Sequence, residues 1–365
     1  MLKRAGEIVL VVAVWSIAVG YIVYASVLAS RHRVVQTVER VDISITDSTA
    51  GGQLVTSRKV REWILRSGIA TIGAPADAVD AAGIRHIIAR NGFVDDVDVY
   101  VTYSGVMHVD ISQRRPMMRL LTDGYNAYVT EDGFIFAAPE ASALYVPVVT
   151  GSYRPIVPPS YEGNIGDYVA DLQADAEKRI RQIEKERNPL YAEEDRIRDS
   201  LKDIRKMRAK KEFFESNAGF EKRAADTLKR KKMLRRYQNG LLRDVRRKMD
   251  AVTARQDAVR AEQKKNEEKY ADFLKLINFV RQVEDDGFWS AEIVQIVASS
   301  ASSGAMELVL VPRSGDFRIV FGEIGDAERK FDKLMRFYRD GLGRIGWNRY
   351  GTINLKYNNQ VVCTE

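Results

Sequence analysis

At 365 residues, 45% of them hydrophobic, the chain is long enough to bury the cores of two or three domains. Its single cysteine, Cys363, excludes an intrachain disulfide. The formal charge of +7 is uneven: residues 171–270 hold 30 Lys+Arg against 20 Asp+Glu, and the rest is slightly acidic, so the basic character belongs to one segment.

Residues 8–29 carry no charge and are rich in Val, Ile and Ala. A helix of that length rises about 33 Å, enough to cross a hydrocarbon core. The run exceeds the roughly 7–15 apolar residues of a cleaved signal peptide. A permanent anchor is therefore expected; the alternative is a signal peptide with Lys3 and Arg4 ahead of a cleavage site within 25–30. Lys3 and Arg4 face Arg31 and Arg33, so the positive-inside rule is nearly balanced.

Residues 38–45 alternate as a strand does, and 48–53 form a Gly/Ser/Thr loop. Val55-Thr56-Ser57 offers an N-cap, followed by Val60, Trp63 and Ile64 on one helical face. Trp63 is expected to be core packing. After a break at 68–74, Pro75 is expected to open a second helix, with Val79, Ile84, Ile87 and Ile88 apolar and Asn91-Gly92 as its stop. Val97, Val99 and Val101 then alternate with Asp96, Asp98 and Tyr100, Ser104-Gly105 turns the chain, and 106–111 alternates again. The order is β-α-α-β-β. Arg114-Arg115-Pro116 interrupts it, and a meander follows at 118–121, 125–130 and 134–136 with turns at Thr122-Asp123-Gly124 and Asp132-Gly133. A loop rich in Pro, Gly and Tyr closes it at 151–166.

The next hundred residues are dominated by Lys, Arg, Glu, Asp and Ala. Ile183, Leu190, Ile197 and Ile204 recur every seven, as do Val245, Val252 and Val259, while Arg187, Glu194 and Arg208 narrow the apolar seam. Ser216-Asn217-Ala218-Gly219 is the strong break. The pattern predicts two antiparallel helices of about 45 residues, a coiled-coil hairpin on the order of 65–70 Å long. Asn188-Pro189 is expected to kink or restart the first arm. Lys231-Lys232, Arg235-Arg236 and Arg246-Arg247-Lys248 fit a solvated face; nucleic acid, anionic lipid, lipopolysaccharide and cell-wall polymer are the alternatives. If the segment lies outside the membrane, DNA is out of reach.

An amphipathic helix returns at 270–283 (Phe273, Leu274, Ile277, Val280), and Trp289, Ile293, Ile296 and Val297 are expected to begin a strand. Residues 308–311 and 317–321 pair across Pro312-Arg313-Ser314-Gly315. Asp326 caps a helix with Phe331, Leu334, Met335, Tyr338 and Leu342 on one face, which Gly346-Trp347 ends. A closing hairpin of 352–356 and 360–363 turns at Asn358-Asn359, residues that tolerate positive φ. His32, His86 and His108 are scattered, Asp95-Asp96 and Glu284-Asp285-Asp286 lack a shared basic partner, and no nucleophile, P-loop or dinucleotide motif is present. No catalytic residue, metal site or cofactor is assigned, and no nucleic acid or small-molecule substrate is expected.

The order of parts resembles the FtsQ/DivIB family of bacterial cell-division proteins. The likeness rests on the β-α-α-β-β module, Arg114-Arg115-Pro116, the strand and Asp132-Gly133-Phe134 turn after it, and the stretch 147–151. At the far end it rests on Phe337-Tyr338, Gly346-Trp347, Tyr350 and 353–362. It spans 1–165 and roughly 270–365. The resemblance implies an α+β protein: a cytoplasmic tail and single N-terminal transmembrane helix (1–36), a POTRA-like module (37–116) and a mixed β-domain (117–166 and 267–365) interrupted by the helical hairpin (167–266). The hairpin departs from the family, so its residues receive no family role. The resemblance further implies a non-enzymatic, single-pass scaffold of the divisome, in the inner membrane at the septum with its bulk outside the cytoplasm. It would link early and late septal cell-wall assembly proteins by binding FtsB/DivIC-like and FtsL-like partners. The partner would add a strand to the last edge of the β-domain, at Tyr350, Ile353, Leu355, Tyr357, Gln360, Val361 and Val362, flanked by Phe337 and Tyr338. The alternatives are a periplasmic adaptor of an efflux or secretion pump, which lacks the module at 38–114, and a membrane-anchored envelope enzyme, which would need paired polar residues in a deep cleft.

Overall fold

A computed structural model describes residues 2–35, 37–46, 54–139, 144–300, 304–347 and 349–365. The loop expected at 48–53 lies outside these, as do the side chains of Lys3, Arg4, Arg31, His32 and Arg33. Helix α1 (Leu2–Val35) takes in the whole uncharged run. Its side chains are described over 13–29, where Trp15, Ile17, Tyr21 and Tyr24 are exposed. Among the described residues no helix is long and apolar enough to cross a membrane.

The chain forms two compact units. One comprises Met1–Arg154, Pro158–Asn164 and Leu276–Glu365; the other comprises Pro155–Val157 and Ile165–Lys275.

The first unit opens with a β-α-α-β-β module: β1 (Arg40–Thr46), α2 (Ser57–Ser67), α3 (Ala81–Ala89), β2 (Val94–Val101) and β3 (Val106–Gln113). Its sheet has the order β1-β3-β2, with β1 parallel to β3. Val60, Ile64, Ile84 and Ile88 bury one face of the two helices on Val97, Met107, Val109 and Ile111, and Trp63 packs against the same cluster. Thr56 caps α2 through Lys59 N (3.3 Å). Pro75 does not open α3. It bridges Thr37, while Val38 N donates to the Ala74 carbonyl (2.9 Å), and the chain makes a turn in which Ala78 N donates to the Pro75 carbonyl (2.9 Å) before Asp80 caps Gly83 N (2.8 Å). Gly105, at φ 76°, makes the hairpin turn.

The remaining strands of this unit form one ten-stranded sheet. They are β4 (Pro116–Thr122), β5 (Tyr125–Thr130), β6 (Phe134–Ala137), β7 (Val148–Gly151), β8 (Gly163–Asn164), β9 (Ile293–Ser300), β10 (Met306–Pro312), β11 (Arg318–Glu323), β12 (Thr352–Asn354) and β13 (Val362–Thr364). The order is β13-β12-β11-β10-β9-β7-β4-β5-β6-β8. β7 runs parallel to both β4 and β9 and so joins segments about 175 residues apart. Only glycine fits at position 151, because an added Cβ would stand 2.3 Å from the Ala298 carbonyl oxygen. The module meets the sheet where Phe93 stacks edge-on to Phe136 (5.0 Å) and the Arg114 guanidinium lies 3.4 Å over the Phe134 ring.

The second unit is built on α4 (Ile165–Lys206) and most of α5 (Asn217–Asp285). The arms run antiparallel: Arg179 pairs with Glu262 (3.1 Å), Glu186 with Arg255 (2.5 Å) and Glu194 with Arg246 (3.3 Å). α4 continues through Pro189 without restarting at Asn188. The connection is 207–216, earlier than the expected break, because Ser216 Oγ caps Gly219 N (3.2 Å) and draws 217–219 into the first turn of α5. α5 then runs unbroken into the amphipathic stretch expected at 270–283. Trp289 does not begin a strand: Asp286 accepts from Phe288 N and Trp289 N (2.8 and 3.0 Å) and folds Trp289–Glu292 into a short helix, α6, ahead of β9.

Candidate functional site

The last strand, β13, stands at one end of the ten-stranded sheet. It follows α7 (Ala327–Arg336), a π-helical turn (Phe337–Leu342), α8 (Gly343–Ile345) and β12. Asp326 occupies the position before α7 in a left-handed conformation, without a side-chain cap; its carboxylate instead pairs with Arg329 (2.5 Å).

The direction of the free backbone groups follows from the pairing. Arg318 N donates to the Gly351 carbonyl and Leu355 N to the Val320 carbonyl (3.0 and 2.9 Å), so in the parallel β11–β12 pair Ile353 turns its backbone toward β11. Thr352 and Asn354 therefore face β13, where their partners are Thr364 and Val362. By alternation, Cys363, and Val361 just before the strand, turn their N–H and carbonyl groups outward. An incoming strand would meet those groups.

The expected site residues divide in two. Tyr338, Ile353 and Leu355 lie in the core, Tyr338 at 4% exposure, with its hydroxyl donating to buried Glu292 (3.2 Å) and its ring against Trp289, Phe317 and Trp347. Burial, with Glu292 beside it, pushes the Tyr338 hydroxyl far above the usual phenol range. These three hold the edge in place and are not available to a partner. Phe337 and Tyr350 are half-buried, their rings 6.2 Å apart. Tyr357 (49% exposed), Gln360 and Val362 are exposed, and Val361 is half-buried.

Sequence reasoning passed over two lysines. Lys333 Nζ donates to the Leu355 and Tyr357 carbonyls (2.9 and 2.7 Å), pinning the turn between β12 and β13 to α7. Lys330 Nζ donates to the Glu323 carbonyl and lies 4.8 Å over the Phe321 ring. Burial, then neighbouring cations, lowers the affinity of both for their protons. A groove of ≈ 880 Å³ runs along them between α7 and the β12–β13 turn, with Asp326, Arg336, Phe337 and Val361 also on its walls. Lysines on an amphipathic helix read as its solvent face, so no local signal marked them. The geometry suits strand and side-chain recognition. Among the described residues no group of three His, Cys, Asp or Glu could hold a metal ion.

Two family models match the chain. One, described as FtsQ/DivIB, C-terminal related, covers residues 245–364; the other, a POTRA-like domain, covers 36–112. The first begins inside α5 and takes in β9–β13, the groove and the terminal edge. No curated protein matches the chain.

Proposed function

We propose that the chain is a non-enzymatic scaffold of bacterial cell division of the FtsQ/DivIB type, held at the septum by a single membrane anchor; the two matched domain models support this reading. The uncharged run inside α1 is the anchor: its described large apolar side chains are exposed, and the run extends in sequence beyond the described side chains at its N-terminal end. The POTRA-like module and the mixed β-domain form the body, and the segment 167–266 is a coiled-coil insertion in the β-domain. The body binds division partners of the FtsB/DivIC and FtsL type by strand addition at β13. Tyr357, Gln360, Val361 and Val362 supply the contact, with Phe337 and Tyr350 flanking it.

The observation that supports this is the outward edge at Val361 and Cys363, unpaired among the described residues, next to the groove between α7 and the β12–β13 turn. Val361→Pro removes one outward donor and crowds an incoming strand, while the β12 ladder keeps its bonds. The test captures the tagged full-length protein from native membranes washed with carbonate, identifies what co-purifies, and compares partner affinity with and without Val361→Pro. Retention in the carbonate pellet, small division proteins in the eluate and an affinity loss of roughly a hundredfold are expected. Unchanged affinity in a variant with wild-type thermal unfolding places the partner elsewhere; release by carbonate removes the anchor.

A further inference from the structure

The connection between α4 and α5 exposes Phe213 at 95% and Phe214 at 96%, their rings edge to face at 5.1 Å. Single exposed apolar residues are ordinary; two adjacent phenylalanines displayed almost in full are not. The connection is a built structure. Arg223 reaches back from α5 to Glu212 (3.0 Å), to both Glu215 oxygens (2.9 and 2.5 Å) and to the Lys210 carbonyl (3.2 Å). Lys231 Nζ closes the end of α4 on the Arg205 and Met207 carbonyls (2.6 and 3.1 Å).

The charge around it is one-sided. Residues 205–236 hold 13 Lys+Arg against 4 Asp+Glu, which is nine of the ten excess positive charges of 171–270. Arg223 occupies both acids of the connection itself, so Arg208, Lys210 and the basic run 229–232 set the local field. Leu228, Met233 and Tyr237 are exposed along the same part of α5.

We infer that this end of the helical hairpin is a peripheral docking surface for an anionic lipid bilayer, with Phe213 and Phe214 entering the headgroup boundary and the surrounding Lys and Arg attracted to lipid phosphates. Adjacent aromatic side chains beside clustered cations is the composition that favours a bilayer surface, where apolar insertion and attraction to negative headgroups add. A polyanion without an apolar phase, such as nucleic acid, would draw on the cations and leave Leu228 and Met233 in water.

The test uses the full chain in phosphatidylcholine nanodiscs, so that 2–35 are already in lipid, mixed with vesicles of phosphatidylcholine with or without phosphatidylglycerol. Co-sedimentation with the anionic vesicles alone, weakened by added salt, is expected. Phe213→Ala with Phe214→Ala should reduce vesicle affinity by about tenfold or more, and Arg235→Glu with Arg236→Glu should abolish the preference for anionic lipid. All four side chains are exposed, so helicity should be unchanged, and circular dichroism checks it. Equal binding to both vesicle types, or full binding by the phenylalanine variant, overturns the proposal. So does displacement from vesicles by an oligonucleotide that binds the phenylalanine variant as tightly as the wild type, which assigns the surface to nucleic acid.

Discussion

The β-unit and the helical hairpin hold themselves together in different ways. In the β-unit, Phe279, Phe321, Phe331 and Trp289 form a closed aromatic cluster, with Phe279 4.9 Å from Phe321 and stacked on Phe331 at 5.7 Å. Each ring is covered on several sides, so its loss leaves a cavity. In the hairpin the buried seam is one layer deep: Ile197, Ile204, Val245 and Val252, with Glu194 and Gln256 set among them. Two helices alone cannot enclose a core, so length and ion pairs do what depth does in the sheet. Enclosure makes the first unit sensitive to lost volume; the second is sensitive to backbone and charge.

Phe279→Ala should break the comparison on the side of the sheet. It removes a buried ring from the cluster and should destabilise the β-unit by about 3–5 kcal/mol. Trp289 lies within the same cluster, so its fluorescence should report an earlier denaturant midpoint, while the helical circular dichroism of the hairpin moves much less. Coincident loss of both signals would show that the hairpin has no stability of its own.

Pro189 tests the other side. It lies inside α4, where it has no N–H to give to the carbonyl of Lys185 and its ring crowds that oxygen. Ion pairs across the hairpin bracket it at Glu186 and Glu194. Pro189→Ala should raise the stability of the hairpin by about 1–3 kcal/mol. Part of the gain is offset by the freer unfolded chain. An unchanged or lower helix-unfolding midpoint would mean that the arms are shaped around the proline.

The same contrast explains what could be read from the chain. The strands of the POTRA-like module were legible because each buries one face, and Val97, Val109 and Ile111 mark it by alternation. The start of α3 was not: Pro75 and Asp80 both signal a helix start, and the Thr37–Pro75 bridge that decides between them is a tertiary contact. The join between hairpin and β-domain is placed by sequence at 266–267, where an amphipathic pattern returns, although α5 crosses it in a single helix with no Gly or Pro there to mark it. At the candidate site, the sequence put core and edge residues in one set. Ile353 and Val362 are both β-branched and apolar; only the pairing shows that the first is buried under the strand and the second is exposed at its rim. Lys333 was missed because its partners are carbonyls more than twenty residues away.

Glu194 gives the smallest effect and the sharpest test of how charge serves the hairpin. Its carboxylate accepts from Arg198 (2.7 Å) and Arg246 (3.3 Å), and the hydrogen bond from Arg198, more than that from Arg246, holds it below the usual glutamate range against the opposing effect of its burial. A carboxylate with a lowered folded-state pKa contributes stability that is fully present above its unfolded value, about 4.3, and is lost as pH falls through the folded value. Glu194→Gln keeps the shape and removes the charge. At neutral pH the variant should therefore unfold at a lower temperature than the wild type. As pH falls from about 4.3 down through the lowered folded-state value the two melting temperatures should converge, because the wild-type carboxyl becomes protonated and resembles the amide. Asp199 and Glu215, lowered by hydrogen bonds from Lys202 and Arg223, titrate in both proteins and cancel from the difference. A gap that persists unchanged into acid would show that Glu194 matters for its packing in the seam and not for its charge.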